Sequence, residues 1–385
     1  MKLGLVTSYM PPHLGGIERI AEILFTGYAS TGVEVRWVSS RVPRDAPSRD
    51  GDRIRVPCFN LIEDLLGVPV PVWGPSGWTA VKELVRWADA IHVLECLYSS
   101  SAIAVRMARR YGKPVVLSQN VGFIQYRFRV LNWIERAAYA TLGRAVLRHA
   151  SHVVLATPTA AAYVATLFQD GLPRTSTFPI GIDTSRFRPA VGRDRPEARA
   201  RLGLMADEPV VLFAGRLVEK KGVGIVLDVC RRLPNVRFIV TGDGPLRARL
   251  SEAPPNVAWY RTVAPEDMPA YYHAADCLLL PSHGEGLPLV VQEAMASGLP
   301  VVISADEPYA EHLLAAEVCT AAPRMPDAMA SRVRAILAGE DPTLGQRARS
   351  YAERHWGAET MVARHLALFE TLLAACPRGV GDRRS

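Results

Sequence analysis

The stretch that decides the fold is 278–304, which reads LLLPSHGEGLPLVVQEAMASGLPVVIS. Its apolar start predicts a short buried strand that Pro281 ends, and a polar loop follows. Pro288 suits the first position of a helix, and Gly298 suits the left-handed position after its last turn. The apolar residues 301–303 then predict a second strand. Such a strand–loop–helix–strand unit indicates a parallel sheet, and open parallel sheets bind ligands beyond the carboxyl ends of their strands.

Two carboxylates make this unit unusual, because Glu285 lies in the loop and Glu293 lies in the helix. Nearly every other position of the helix is apolar, so the helix is predicted to be buried. A buried carboxylate needs a partner, since burial alone favours its neutral form. The partner of Glu293 is either a core arginine or backbone amides, or else the hydroxyl groups of a ligand such as a ribose. The residues alone leave these alternatives open.

The pattern EGLP at 285–288, followed by EAMASGLPVV at 293–302, resembles the signature of retaining glycosyltransferase family 4, the glycosyl transferases of group 1. The resemblance implies the α/β GT-B fold, in which two Rossmann-like, doubly wound domains face each other across a cleft. It also implies that Glu285 is catalytic and lies beside the donor sugar. By the same resemblance, Glu293 binds the ribose of the nucleotide.

The resemblance further implies a binding site for the donor diphosphate that is assembled from several loops. Its members are Gly15, Gly16, Arg216, Lys221, Gly286, Leu287 and Pro288. General chemistry is consistent with these roles, because glycine lets a backbone approach closely, a helix start attracts phosphate, and arginine and lysine supply positive charge. Without the resemblance, the paired glycines would indicate a tight turn and the basic loop a solvated surface.

The chain departs from the family at several positions, among them the common glycine pair that is missing near Glu307, Pro308 and Tyr309. Asn120, in the loop 119–123, occupies the place of the family's usual catalytic histidine, and an amide carries no proton charge. Either this lineage uses a neutral contact or its activity is altered. His92 and Glu95, at the end of the preceding strand, are either ionisable substitutes or structural residues. Arg261 stands where the family usually has glycine beside the nucleotide base.

The predicted domain organisation follows the GT-B pattern. Residues 1–185 form an amino-terminal Rossmann-like domain for the acceptor, 186–208 form a hinge or linker, and 209–356 form a Rossmann-like domain for the nucleotide-sugar donor. The hinge prediction rests on a segment rich in Arg, Asp and Pro. Helix 357–375 is expected to cross back to the first domain, and 377–385 to be a frayed tail.

Composition narrows the class of partner. The 385 residues suffice for two domains, 49% of them are hydrophobic, and the formal net charge of +7 favours anionic partners such as sugar nucleotides or a membrane surface. No nucleic-acid-binding signature is present, and the six cysteines have no metal-binding spacing. No segment reads as a secretory signal or a spanning helix, so we expect a cytoplasmic protein.

A basic helix predicted over 129–149 bears on the location of the protein in the cell. At about 100° per residue, four arginines share one face with Trp133, opposite an apolar stripe that includes Ile134 and Leu142. The four are Arg129, Arg136, Arg144 and Arg148. The pattern fits a solvated face over a core stripe, or an interfacial surface in which arginine meets lipid phosphate. The second alternative predicts a peripheral contact of 126–148 with the inner face of the cell membrane.

The function that the resemblance implies is hexosyl transfer from a nucleotide-diphosphate sugar to a sugar, lipid-linked or small-molecule acceptor. It implies retention of configuration and no requirement for a metal or another cofactor. Such a reaction belongs to polysaccharide, glycolipid or glycoconjugate biosynthesis. Two rivals remain open: a nucleotide-sugar 2-epimerase of the same fold, and a catalytically weak subunit that binds sugar nucleotides, which Asn120 would explain.

Overall fold

The chain forms two compact units, each with its own sheet and hydrophobic core. The first unit comprises Met1–Gly181 together with Ala358–Ser385, and the second comprises Ile182–Gly357. Both are α/β units built on a mostly parallel sheet. The computed structural model describes residues 1–13, 16–60, 71–120, 122–123, 129–168 and 171–375.

The central strands of the first sheet are short, mostly apolar and largely buried, as parallel strands between helices must be. Within the described residues, the strands of this unit are β1 (Lys2–Val6), β2 (Glu34–Ser40), β3 (Arg49–Asp50), β4 (Arg53–Val56), β5 (Cys58–Phe59), β6 (Val72–Trp73), β7 (Ala90–Leu94), β8 (Val115–Gln119), β9 (His152–Leu155) and β10 (Thr175–Thr177). The main sheet has the order β10-β9-β8-β7-β1-β2-β4-β3, and β3 pairs antiparallel. Strands β5 and β6 form a separate antiparallel pair.

The sheet of the second unit is parallel throughout. Its strands are β11 (Val210–Ala214), β12 (Arg237–Thr241), β13 (Val257–Tyr260), β14 (Cys277–Leu280), β15 (Val301–Ser304) and β16 (Thr320–Ala322). Their order is β13-β12-β11-β14-β15-β16, so the chain reverses direction across the sheet between β11 and β14. Such a reversal point is where doubly wound sheets bind ligands, because the loops on its two sides diverge. Every residue of β11, β14 and β15 is buried, which explains why these strands read as continuous apolar runs.

Helices alternate with the strands in both units. In the described residues they are α1 (Gly16–Ser30), α2 (Pro75–Trp87), α3 (Ser99–Arg110), α4 (Arg129–Ala138), α5 (Arg144–His149), α6 (Pro158–Leu167), α7 (Asp194–Arg201), α8 (Val223–Arg232), α9 (Met268–Ala274), α10 (Leu289–Ala296), α11 (Pro308–Ala315), α12 (Pro326–Leu337), α13 (Leu344–Trp356) and α14 (Ala358–Ala375). Helix α14 belongs to the first unit, where it packs against α1. The contact is close, because a Cβ atom at Gly27 would overlap the side chain of Val362.

A buried polar network also fixes α14 to the first sheet. The Tyr28 hydroxyl lies 3.0 Å from His92 Nδ1, and His92 Nε2 lies 2.8 Å from Ser118 Oγ. The same Ser118 oxygen lies 3.2 Å from His365 Nε2 on α14. All four residues are buried. Burial lowers the pKa of His92 well below its ordinary value, so this histidine is a neutral structural residue and not an exposed ionisable group.

The segment 186–208, predicted to be a hinge or linker, is instead part of the second unit. It contains α7, and Arg199 on that helix is buried. Arg199 donates to the carboxylate of Asp276 and to the carbonyl of Ala274, each at 3.1 Å. The charged composition suggested a solvated linker. In the structure, however, Arg195 and Arg199 pair with Asp276 of the second unit.

The basic helix predicted over 129–149 is present, but a π-helical turn at Tyr139–Gly143 divides it into α4 and α5. Such a turn adds a residue to the repeat and rotates the following helix faces. The turn therefore changes the direction in which Arg144 and Arg148 leave the helix axis relative to Arg136. Arg136 stacks on Phe123 and Arg144 stacks on Phe168, with 5.0 and 5.6 Å between guanidinium carbon and ring centroid.

Several predictions lie outside the described residues. They concern Gly15, the segment 126–128 and the tail 377–385. Across the parts of the chain that the structure does describe, no helix has both the length and the apolar character needed to span a bilayer.

Candidate functional site

The predicted donor-site residues of the second unit lie where β11 and β14 end. These strands are direct neighbours, so the loops that follow them meet at the carboxyl edge of the sheet. The His283 N–H donates to the Lys220 carbonyl at 2.9 Å and joins the two loops. Gly222 has φ of +72°, and a Cβ there would overlap the Pro281 carbonyl oxygen. Glycine is therefore required at this crossing.

Lys221 and Glu285, which were predicted for different parts of the donor, form an ion pair. Lys221 Nζ lies 3.1 Å from Glu285 Oε1, and both side chains are largely shielded from solvent. Lys220, which the sequence reasoning did not select, places its own Nζ 3.8 Å from the same oxygen. Two cations thus converge on one carboxylate at this corner of the sheet edge. Lysine ammonium groups at a sheet edge suit an anionic ligand.

Glu307 is a further site residue that the sequence reasoning missed. Its Oε2 accepts the backbone N–H of Glu285 at 2.9 Å and thereby holds the loop that carries Glu285. Burial raises the pKa of the Glu307 carboxyl, while the N–H groups of Glu285 and Gly284 act in the opposite direction. The signal in the sequence is a glutamate directly before Pro308, where α11 begins.

Glu293 is buried on α10, as the apolar character of that helix predicts. Its Oε2 accepts a hydrogen bond from the hydroxyl of Tyr272 at 2.8 Å. One protein partner of Glu293 is thus a tyrosine hydroxyl, which the alternatives drawn from the sequence had not included.

The remaining donor-site residues of this unit surround the ion pair in sequence and topology. Gly286, Leu287 and Pro288 lead directly into α10, with Pro288 at its N-cap. The first N–H groups of a helix have no acceptor within it and attract anions. Arg216, after β11, is exposed and forms no ion pair within the described ranges. Its guanidinium is therefore available to a phosphate.

Arg261, at the position where the family usually has glycine, has a defined role in the fold. Its Nε lies 2.6 Å from Asp243 Oδ2, which links the end of β13 to the loop after β12. The Arg261 guanidinium is also the main cause that lowers the pKa of the Asp243 carboxyl. The side chain that replaces glycine is thus held along the sheet edge by a carboxylate.

Asn120, in the first unit, is held by Glu95. Glu95 Oε1 accepts the backbone N–H of Asn120 at 2.8 Å and its side-chain Nδ2 at 3.0 Å. Glu95 Oε2 accepts the side-chain amide of Gln119 at 2.5 Å. Glu95 has φ of +66°, a left-handed conformation that is uncommon outside glycine, and its carboxylate is buried. Backbone strain of this kind persists only where the surroundings impose it, and it is typical of functional sites.

The structure thus groups the predicted residues by unit. In the second unit, Lys221, Glu285 and the start of α10 lie on neighbouring loops of one sheet edge. In the first unit, Gly16 is the exposed first residue of α1, and Asn120 follows β8. Tyr272 and Glu307 join the site only through tertiary contacts, whereas Lys220 is the sequence neighbour of Lys221.

Comparison with known protein families matches both units. Residues 194–355 match the family model of glycosyl transferases group 1. Residues 15–181 match the model of the glycosyl transferase 4-like domain. The two matches are consecutive and cover most of both units.

Two relatives are D-inositol 3-phosphate glycosyltransferases. That of Xylanimonas cellulosilytica is 36% identical over 153 residues, which are 36% of this chain and 37% of the relative. That of Mycobacterium bovis is 35% identical over 178 residues, which are 42% of this chain and 35% of the relative. The alignments thus span little more than a third of these relatives' length.

Solved structures resemble the chain along nearly its whole length. Sucrose-phosphate synthase from Thermosynechococcus elongatus superposes with a TM-score of 0.78 at 22% identity, covering 97% of this chain and 99% of that one. Anabaena HepE in complex with UDP superposes with a TM-score of 0.75 at 17% identity, covering 96% of this chain and 100% of that one. At such identities the likeness establishes the fold. Taken together with the two family models, it shows that the chain belongs to glycosyltransferase family 4, the group 1 glycosyl transferases with the GT-B fold.

Proposed function

We propose that this glycosyltransferase moves a hexosyl group from a nucleotide-diphosphate sugar to an acceptor with retention of configuration and without a metal. The observation that carries the proposal is the pair Lys221–Glu285 at the reversal point of the second sheet. In this pair, the Lys221 ammonium would bind the donor phosphate and the Glu285 carboxylate would accept hydrogen bonds from the sugar hydroxyls. A buried carboxylate for ribose, Glu293, lies on the helix that follows.

In this proposal the chain's residues stabilise the leaving diphosphate. Arg216 contributes a planar fork of N–H donors, and Lys221 contributes a point charge. The N–H groups at the start of α10 add fixed dipoles aimed at the same anion. Cations and dipoles that are already in place supply the stabilisation that other transferases obtain from magnesium.

The donor that we propose to test first carries uridine diphosphate. Anabaena HepE, which shares the fold, was crystallised with UDP and with UDP-glucose. The exposed Arg261 lies where the base contact is expected and is held by Asp243, so it also bears on the choice of base. A panel of UDP-, GDP- and ADP-sugars therefore identifies which nucleotide base and which sugar the enzyme prefers in its donor.

The acceptor is proposed to bind the first unit near Asn120. Candidate acceptors are sugars, lipid-linked sugars and D-inositol 3-phosphate, which appears in the names of two relatives. The proposed reaction belongs to polysaccharide, glycolipid or glycoconjugate biosynthesis. Peripheral contact of 126–148 with an anionic membrane is part of the proposal, with the protein at the cytoplasmic face.

The test incubates the purified chain with the donor panel, with and without acceptors, and identifies both the nucleotide and the sugar products. NMR of the new glycosidic bond reports its configuration, and EDTA tests the need for a metal. We expect acceptor-dependent release of nucleoside diphosphate with the donor's configuration kept. Inverted product, or activity lost with EDTA and restored by magnesium, contradicts the proposal.

The two rival functions predict other products. A 2-epimerase releases nucleotide and a free sugar isomer without any acceptor. A binding subunit binds a sugar nucleotide in calorimetry but turns it over with none of the acceptors. Glu285→Gln should abolish transfer while the nucleoside diphosphate still binds, because the nucleotide contacts are assigned to other residues.

A further inference from the structure

Helix α4 exposes large apolar side chains on one face. Val130, Trp133 and Ile134 are 69%, 71% and 51% exposed. They occupy positions i, i+3 and i+4, which share a face of an α-helix. Of the two alternatives for the apolar stripe, a core stripe or an interfacial surface, the exposure of Ile134 favours the second. An exposed apolar face that includes tryptophan is typical of interaction sites.

A groove of about 590 Å³ lies on the helical segment that continues from α4. It runs between α3 and the π-turn and α5 segment, within the first unit. Its apolar floor includes Val105 and Val146, which are buried. Its rim carries Arg106, Arg109 and Arg110 from α3 and His149 from α5.

The three rim arginines are exposed and form no ion pair within the described ranges. Arginines elsewhere on the chain commonly pair with carboxylates, as Arg195 does with Asp276 at 2.5 Å. Along the last two turns of α3, three positive charges are thus left without compensation. A groove with an apolar floor and a cationic rim suits a ligand that has an anionic head and an apolar body.

We propose that this groove and the exposed face of α4 form one docking surface for the anionic phospholipids of a membrane. Arg106, Arg109 and Arg110 bind headgroup phosphates, and the groove floor receives the adjoining apolar part of a lipid. Trp133 and Ile134 enter the interface, where tryptophan is favoured. The inference rests on the proposed peripheral membrane contact and extends it to α3, which lies outside 126–148.

The combination of charge and apolar surface selects this occupant over two others. A free phosphate would use the arginines but would leave the apolar floor and Trp133 without a role. A nucleic acid would bind the same cations through its phosphates, but it would gain little from exposed aliphatic side chains such as Val130 and Ile134. A lipid surface uses both kinds of group.

Co-sedimentation with phosphatidylglycerol–phosphatidylcholine vesicles tests the proposal. The chain should bind these vesicles and not pure phosphatidylcholine, and added salt should release it. Replacing Arg106, Arg109 and Arg110 by Gln should weaken binding on the order of 100-fold, because each basic residue near an anionic surface contributes about a fivefold factor. A matched control removes three other exposed positive charges of the same unit that do not line the groove. It carries Lys82→Gln, Arg86→Gln and Arg364→Gln.

The control variant should keep most of its vesicle affinity, since the charge lost is equal but lies elsewhere. If both variants lost the same vesicle affinity, net charge alone would explain the binding, and the proposed role of the groove would be overturned. Trp133→Ser with Ile134→Ser should weaken binding without changing net charge, and unchanged binding would overturn the apolar part. Displacement by millimolar inorganic phosphate, or equal affinity for a DNA duplex, would indicate a general anion site instead. Vesicle binding needs no donor, so an inactive chain that still binds vesicles would reject the transfer reaction and keep this inference.

Discussion

The side-chain amide of Asn120 donates a hydrogen bond to the carboxylate of Glu95, with Nδ2 and Oε1 3.0 Å apart. An amide can donate or accept, and a neighbouring carboxylate decides between the two orientations because it can only accept. The NH₂ group is therefore turned towards Glu95, and the carbonyl oxygen remains for a ligand. At the family's histidine position, this chain offers an oriented hydrogen-bond acceptor that suits a sugar hydroxyl.

Asn120→His tests whether the lost histidine limits catalysis. We expect low but real activity in the parent chain and higher activity in the variant, provided the pocket fits an imidazole. Glu95 would stabilise the charged imidazolium and raise its pKa, so the gain should depend on pH and shrink when Glu95→Gln is added. Turnover against pH with the cognate donor measures this, with Asn120→Gln as the amide control. A fully active parent that histidine slows would show a site rebuilt around the amide.

Asn120→Asp keeps the size of the parent side chain but places a second carboxyl group in contact with Glu95. The two carboxyl groups should share a proton, so the pKa of the pair in the folded state is raised above the ordinary value of about 4. The folded variant then binds more protons than the unfolded one, and it loses stability as the pH rises from about 4 towards 7. We expect a loss on the order of 2–3 kcal/mol at pH 7 relative to the parent. Denaturant unfolding at pH 4.5 and pH 7 measures it, and an equal loss at both values would contradict the shared proton.

Glu293→Gln tests the ribose contact while it preserves the fold. Glutamine keeps an oxygen that can accept from Tyr272, so the internal hydrogen bond survives. We expect UDP affinity to fall by about 1–3 kcal/mol, the range for losing a charged acceptor. Tyr272→Phe removes the tyrosine hydroxyl but keeps the Glu293 carboxylate, so it should lower affinity less. Calorimetry with UDP compares the two, and unchanged affinity in Glu293→Gln would make Glu293 a structural residue.

Double replacement of Arg216 and Lys221 by Gln tests the diphosphate contact. The variant should lose on the order of 100-fold in affinity for UDP and little for uridine, because only a phosphate contact distinguishes these ligands. Lys220→Gln is the matched single control, since Lys220 also faces Glu285 but at 3.8 Å and with a more exposed side chain. Equal losses for UDP and uridine would contradict the assignment.

The buried histidines of the first unit predict acid sensitivity. Burial lowers the pKa of His365 to about 4, so the folded chain keeps it neutral while the unfolded chain protonates at about pH 6.5. This contribution to stability is complete above pH 6.5 and is lost as the pH falls towards 4. It amounts to at most about 3 kcal/mol for His365. His365→Gln should flatten the dependence of Tm on pH over this window, and an unchanged dependence in the variant would contradict this assignment.

How much of the fold the sequence predicts depends on the range of the interactions. The strand, loop and helix of 278–304 are predicted correctly, because proline, glycine and apolar runs act on the local backbone. By contrast, the segment 186–208, predicted to be a hinge or linker, lies within the second unit, and a π-helical turn interrupts the helix predicted over 129–149. Pairing of Arg199 with Asp276 and the π-turn after α4 are not local composition effects.

The sequence by itself determined the family, the parallel sheets and the residue types along the site: the glutamates, the basic loop and the asparagine in place of histidine. Only the tertiary structure decided their partners. It pairs Lys221 with Glu285, gives Glu293 the hydroxyl of Tyr272 and turns the Asn120 amide towards Glu95. The reason is physical: hydrogen-bond and ion-pair geometry is set by side chains that lie far apart in the chain, and the order and packing of the strands bring them within bonding distance.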